Sequence, residues 1–373
     1  MSRAPIDYSS AGVDYHRIDA LKIRAQQAAL STARHLAARG HHELERSRGE
    51  SAYVIEAGGI LIASVTECLG TKSLVADAVR SISGRTHYDT LAQDTIAMAV
   101  NDLVTVGATP LAVQAYWAAG SSDWFADHER MEDLVRGWQR ACDACRVSWG
   151  GGETPALNGV VAAGRVDLAA SSFGIVPSRE RLMLGEQLRA GDAIVLLAAS
   201  GIHANGVSLA RKLAERLPEG YATRLADGRS LGEALLDPTV LYVPVLEAVW
   251  AAGVIPHYAV NITGHGWRKL MRHPGSFTYR LMQAPPVPGV LEFLTRELPL
   301  EPREAYSSLN MGAGFALFVA PEQADATVRA ARSAGVGAWR AGAVEAGPRR
   351  VVIDPLGIVY ETDDLQLRMT PTS

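Results

Sequence analysis

Trp149-Gly-Gly-Gly-Glu-Thr-Pro-Ala-Leu-Asn-Gly159 is the stretch from which the rest of this chain is best read. Three successive glycines let a backbone approach a ligand closely and reach conformations closed to other residues. Glu153 and Thr154 follow at once. Backbone N–H groups beside a carboxylate suit a phosphate and its Mg²⁺, the amides binding oxygen anions and the acid binding the metal. The candidates here are Gly151, Gly152, Glu153 and Thr154. By itself such a stretch is a glycine-rich turn between elements. Its weight comes from its neighbours in the chain.

Upstream, Glu129–Val147 has the pattern of a long amphipathic helix, and downstream Val160–Val176 holds one or two strands. Further upstream the spacing predicts strands at Tyr53–Glu56, Ile60–Thr66 and Leu111–Ala118 and a helix over Asp89–Val106. After a loop near Pro177–Arg189, strands are expected at Ala193–Ala199, His257–Ile262, Gly312–Val319 and Ala338–Val344. Helices are expected at Asn205–Leu217, Val243–Ala252 and Glu322–Ala334, with another beginning at Trp267–Met271. The alternation predicts an α+β, two-domain chain. Residues 1–50 form a charged, helical lead-in, 51–180 a first domain, 186–355 a second, and 356–373 a tail.

Four more segments carry groups that a nucleotide triphosphate needs. Glu67-Cys-Leu-Gly70-Thr71-Lys72 closes a strand with an acid, a glycine, a hydroxyl and an ammonium. Gly70 admits a phosphate and Lys72 offers charge to a phosphoryl group in transfer. The spacing is not that of a Walker A loop. On the next helix, Asp94 stands seven residues before Asn101 and eight before Asp102, so all three can share one face. Glu67, either Asp94 or Asp102, and Glu153 are the metal candidates. Ser200-Gly-Ile-His-Ala-Asn-Gly206 joins a strand to a helix, where amides near the helix start favour phosphate. Within it, His203 is an acid/base candidate, and Asn205 and Gly206 are ligand contacts. Asn261-Ile-Thr-Gly-His-Gly266 repeats that logic with Thr263, Gly264 and His265, and Asn310-Met-Gly312 precedes an apolar strand and could close the pocket.

Bulk properties narrow the field. The chain has 373 residues, 48% hydrophobic and 20% charged, an ordinary globular composition. A formal net charge of -4 argues against nucleic acid as a partner. No apolar run approaches the ~20 residues that span a bilayer, and no secretory signal is evident, so the cytoplasm is the expected compartment. Three cysteines do not make a disulfide framework; Cys142 and Cys145 read as small residues on a helix face.

Taken in order, these segments resemble the aminoimidazole ribonucleotide synthetase (phosphoribosylformylglycinamidine cyclo-ligase) family. Gly12-Val-Asp-Tyr15, Leu69-Gly-Thr-Lys72, Val100-Asn-Asp-Leu103, Gly150-Gly-Gly-Glu-Thr154, Ser200–Gly206, Leu236-Asp-Pro-Thr-Val-Leu-Tyr242, Ile262-Thr-Gly264 and Asn310-Met-Gly312 carry the resemblance. It implies a homodimer in which the N-terminal sheets pair into a shared barrel, beside a C-terminal α/β sandwich domain. It also implies ATP and Mg²⁺ near that interface and a small phosphoribosyl substrate. The reaction implied is phosphorylation of an amide oxygen followed by ring closure. By match, Lys72, Asp94, Asp102 and Glu153 fall in the nucleotide and metal region; His203, Asn205, Gly206, Thr263 and Gly264 fall in the second domain's loops.

Departures bear on the substrate: Glu67 stands where the family has Asp, Leu69 and His265 where it has Gly, and Asn261 where it has His. Alternatives are a same-fold paralogue that activates another amide or acid with ATP, or a non-catalytic nucleotide-binding protein. Selenophosphate synthetase would need a reactive residue near the N-terminus, and residues 1–50 hold no Cys. A hydrogenase maturation factor would need a C-terminal Cys, which Arg368–Ser373 lacks.

Overall fold

Leu61, Ala63 and Val65 alternate with Ile60, Ile62 and Ser64, and that period of two makes Ile60–Cys68 a strand with one buried face and one open face. The computed structural model describes residues 15–365 of the chain. Gly12–Asp14 of the resemblance and everything beyond Leu365 lie outside the described residues. The first sheet is built from β1 (His42–Glu43), β2 (Tyr53–Ala57), β3 (Ile60–Cys68), β4 (Thr109–Ala119), β5 (Ser148–Glu153) and β6 (Val166–Val176). Its order is β1-β2-β3-β6-β4-β5, antiparallel except for the parallel β4–β5 pair.

The helices of this half are α1 (Tyr15–Thr32), α2 (Arg34–Ala37), α3 (Lys72–Ser83), α4 (Tyr88–Val104) and α5 (His128–Cys145); α4 covers one face of the sheet by packing on β3 and β6, and α5 packs on α4. α5 starts where the Asp127 carboxylate accepts the Arg130 N–H at 3.1 Å, and it ends at Arg146 in the left-handed conformation. The opposite face stays open at Ile62, Ser64 and Thr66 of β3 and at Ser171 and Phe173 of β6, an open half-barrel that α1 only borders.

The second sheet contains β7 (Ala193–Ala198), β8 (Tyr258–Asn261), β9 (Phe277–Leu281), β10 (Ala313–Val319), β11 (Ala338–Ala346), β12 (Arg350–Ile353) and β13 (Ile358–Tyr360), in the order β13-β12-β9-β11-β7-β10-β8. Every residue of β10 is buried, as a strand covered on both faces requires. With it go α6 (Val207–Ala214), α7 (Leu231–Leu235), α8 (Val243–Ala251), α9 (Gly289–Glu297), α10 (Pro302–Ser308) and α11 (Ala324–Ser333). The sheet continues past residue 355, because β13 pairs with β12; part of the expected tail is therefore a strand. Likewise β1 pairs with β2, so the lead-in enters the first sheet before residue 51.

The polar face of α4 binds the domains together. Thr239 donates its N–H and its hydroxyl to Asp94 Oδ1 at 2.7 and 2.5 Å. Gln93 donates to Thr239 O at 2.9 Å, and Asn101 donates to Val240 O and accepts from Tyr242 N–H, both at 2.8 Å. Asn261 donates to Asp102 Oδ1 at 2.7 Å. These buried groups satisfy backbone of the 237–242 segment that has no strand or helix partner of its own.

Candidate active site

At the seam lies a cavity of about 350 Å³. Glu67 enters it from the end of β3, on the helix side that Leu61, Ala63 and Val65 also occupy. Asp102 enters from α4, and Asn205 from the loop ahead of α6. Thr263, Gly264 and His265 form a turn after β8, with His265 at φ +70 and Gly266 at φ +52. A Cβ at Gly266 would lie 2.3 Å from Tyr306 O, so only glycine lets this turn press against α10. The left-handed His265 is a costly conformation held by its surroundings, as residues at sites often are.

Four charged residues of this cavity were not expected from the sequence: Lys22, Glu50, Lys269 and Arg272. Arg272 donates to Gly49 O at 2.8 Å and to Ser51 Oγ at 2.7 Å, and its Nε stands 3.5 Å from Glu50 Oε2. Tyr258 donates to the Glu50 carboxylate at 2.9–3.0 Å. The chain ahead of β2 is thus pinned over the second domain. The Lys269 ammonium donates to Asn261 O at 3.3 Å and to Thr263 Oγ1.

Electrostatics follow from burial and proximity. Burial, with Asp102 as a second cause, pushes the Glu67 carboxyl up to about 7, against the pull of Lys269. Burial pushes Lys269 down to about 8, against Asp102 and Glu67. A buried carboxylate beside a second one is what a divalent cation with ligand phosphates relieves, so Glu67 and Asp102 fit Mg²⁺. Among the described residues, no group of three His, Cys, Asp or Glu side chains is arranged to hold a metal by itself.

Other expected site residues stand elsewhere. Lys72 Nζ is 2.7 Å from Asp94 Oδ2 and donates to Asp237 O at 3.0 Å, with both side chains at 0% exposure. That ion pair belongs to the domain seam, as does Asn101, and Thr71 meets Ser208 across it at 3.2 Å. Neither Lys72 nor Asp94 lines the cavity. His203 is buried behind its loop, where its Nε2 accepts the Ser200 N–H at 3.2 Å. Burial, then Lys72, pushes it down to about 3, so the ring is neutral and holds the loop shape. Asn310 braces the same loop by donating to Gly201 O at 2.8 Å. Gly70, φ +75, forms the turn into α3, and Gly206, φ +92, precedes α6.

The glycine stretch forms part of a strand. Gly150–Gly152 lie within β5, and a Cβ at Gly152 would sit 2.0 Å from Ala115 O: the close approach is to strand β4. Register sets its distance from the cavity. Gly152 pairs with Ala115, Ala115 with Ala170 and Ala170 with Glu67, which puts Gly152 three strand spacings, about 14 Å, from Glu67. Glu153 falls in the next row, through Tyr116 and Ala169 to exposed Cys68, on the open face. Thr154 follows it off the strand end and is exposed. Cys142 and Cys145 are buried free thiols, and burial pushes Cys142 up to about 12.

Comparison with known proteins adds to this geometry. Residues 49–176 match the family described as AIR synthase related protein, N-terminal domain, and residues 189–355 its C-terminal domain. The chain is 34% identical over 348 residues to a Sorangium cellulosum protein named phosphoribosylformylglycinamidine cyclo-ligase, covering 91% of this chain and 95% of that one. It is 33% identical over 325 residues to the Methanothermobacter thermautotrophicus protein of the same name, covering 86% and 89%. Among solved structures, a chain of a HypE–HypF complex shares the fold with a TM-score of 0.59 at 16% identity, covering 85% of this chain and 93% of that one. AaThiL complexed with AMPPCP and TMP does so with a TM-score of 0.56 at 16% identity, covering 84% and 90%.

Proposed function

From the premise that this chain belongs to the AIR synthase related family in both of its domains, we propose that it is an ATP-dependent cyclo-ligase of purine biosynthesis acting in the cytoplasm. Its substrate is formylglycinamidine ribonucleotide and its product aminoimidazole ribonucleotide. One observation carries the reading: Glu67 and Asp102 of the first domain meet Asn205, Thr263, Gly264 and His265 of the second in a single cavity. A triphosphate there finds backbone N–H groups of a glycine turn, and Glu67 and Asp102 to hold Mg²⁺. That ion would screen the phosphate charge. The enzyme's own part is to fix the amide oxygen and the γ-phosphorus within reach, exclude water, and then hold the amine against the activated carbon.

Purified protein should hydrolyse ATP faster when formylglycinamidine ribonucleotide is added, and Asp102→Asn should remove that stimulation. The gene should restore growth of a purine-requiring strain that lacks its own synthetase. Well-folded protein that fails both tests would end the cyclo-ligase reading. His265 in the cavity turn, and Asn261 at the end of β8 ahead of it, favour as second reading a paralogue that activates a different amide. ATP turnover stimulated by another amide, and not by this one, would select it.

A further inference from the structure

We propose that Lys269 is the ammonium that contacts the phosphoryl group in transfer, a part the sequence suggested for Lys72. The proposal rests on the ATP-dependent reading above. Phosphoryl transfer gains most from a fixed cation that meets the equatorial oxygens as their charge is redistributed. Such a cation has to face the ligand, be held still, and stand outside a direct ion pair.

The candidates separate on these criteria. Lys72 is locked against Asp94 and Asp237 at zero exposure. Arg272 spends its donors on Gly49, Ser51 and Glu50, and so holds the chain ahead of β2. Lys22 is exposed to solvent on α1. Lys269 lines the cavity with only 7% of its surface exposed. Both of its hydrogen-bond acceptors are neutral: Asn261 O at the end of β8 and Thr263 Oγ1 in the turn that forms the site. Two of its three N–H bonds are directed by these groups, which fixes the head group without an ion pair. Glu67, Asp102 and Lys269 therefore form a cluster of two carboxylates and one cation on one cavity wall.

In the step itself the amide oxygen forms a bond to the γ-phosphorus. The bond from that phosphorus to the bridging oxygen breaks, and ADP keeps the electron pair. The amide nitrogen releases its proton to solvent. Lys269 transfers no proton; it remains an ammonium and hydrogen-bonds to the phosphoryl oxygens.

The test uses Lys269→Met and Lys269→Gln in the full chain. Binding of Mg-ADP and of Mg-ADP with aluminium fluoride, a mimic of the transferring phosphoryl, is measured by calorimetry. We expect Mg-ADP affinity within about threefold of wild type and mimic affinity lowered about 100-fold, with a similar loss of kcat. Mimic affinity at the wild-type value, or an equal loss for both ligands, in whichever variant folds would overturn the assignment. Mimic binding needs no amide acceptor. A failure of wild-type turnover with formylglycinamidine ribonucleotide would thus count against the cyclo-ligase reading and leave the Lys269 result to be judged separately.

Discussion

At the scale of single residues, Lys72 and Asp94 show what burial does to a charge. Removing one partner of a buried pair strands the other without water, which costs about 3–5 kcal/mol. Lys72→Met is therefore expected to lower unfolding free energy by that amount in urea titration, because Asp94 has no exposure to solvent. Lys72→Met combined with Asp94→Leu should recover a large part of the loss, since no lone charge is left buried. A loss under about 1 kcal/mol in the single variant would show that the pair is not desolvated as described. His203 gives a pH-dependent counterpart. Its folded pKa, about 3, lies below the ordinary His value of 6.5, so the unfolded chain binds the extra proton between the two. The sign follows: its contribution is complete above about 6.5 and is lost as pH falls towards about 3. His203→Gln should flatten the fall in stability between about pH 6 and 4, and an unchanged slope would mean that the ring charges freely in the native state.

At the scale of elements, legibility depended on whether side chains mark the period. β3 could be read because Leu61, Ala63 and Val65 go inward while Ile60, Ile62 and Ser64 go outward. The polar face of α4 could be read because Asp94, Asn101 and Asp102 are spaced by two turns, but what they meet lies 139 to 159 residues later and leaves no local trace. Lys269 and Arg272 were hidden in what read as a helix start after the Gly264–Gly266 turn. Glycine has no side chain and hence no period, so the sequence of β5 reads as a turn; tertiary pairing with β4 makes it a strand. Gly152→Ala tests this. Its Cβ would meet three backbone atoms of Ala115 at 2.0–2.8 Å, so β5 has to move away from β4. A cost of about 1–3 kcal/mol is expected. A red shift in tryptophan emission should accompany it, because Trp149 packs 5.5 Å from Trp117 and 5.9 Å from Trp138. Gly150→Ala is the control: its nearest neighbour would be Val113 O at 3.8 Å, so stability should change by no more than about 0.5 kcal/mol. Equal effects at the two positions would disprove the strand's close approach.

At the scale of the whole molecule, the open face of the first sheet needs an explanation. A half-covered antiparallel sheet normally turns polar side chains to water. Here Ile60, Leu111 and Phe173 are exposed at 53%, 43% and 43%, beside Ile62 and among the hydroxyls of Ser64, Thr66 and Ser171. Mixed apolar and hydroxyl surface on a flat sheet is suited to a second sheet of the same kind, in an isologous pair. Glu153 lies in a row on this open side rather than in its own cavity, so pairing would bring it towards the neighbouring subunit. Sedimentation equilibrium should then give twice the 39.8 kDa chain mass. Phe173→Glu puts a charge at the middle of the face and should yield a folded monomer, because the side chain already reaches solvent in the isolated subunit and its loss opens no core cavity. If Glu153 acts on nucleotide bound by the partner, that monomer should also lose ATP turnover while its melting temperature stays near the wild-type value. A wild-type chain that sediments as a monomer, or a Phe173→Glu monomer with full turnover, would leave the open face without a part in catalysis and return Glu153 to the role of an exposed strand end.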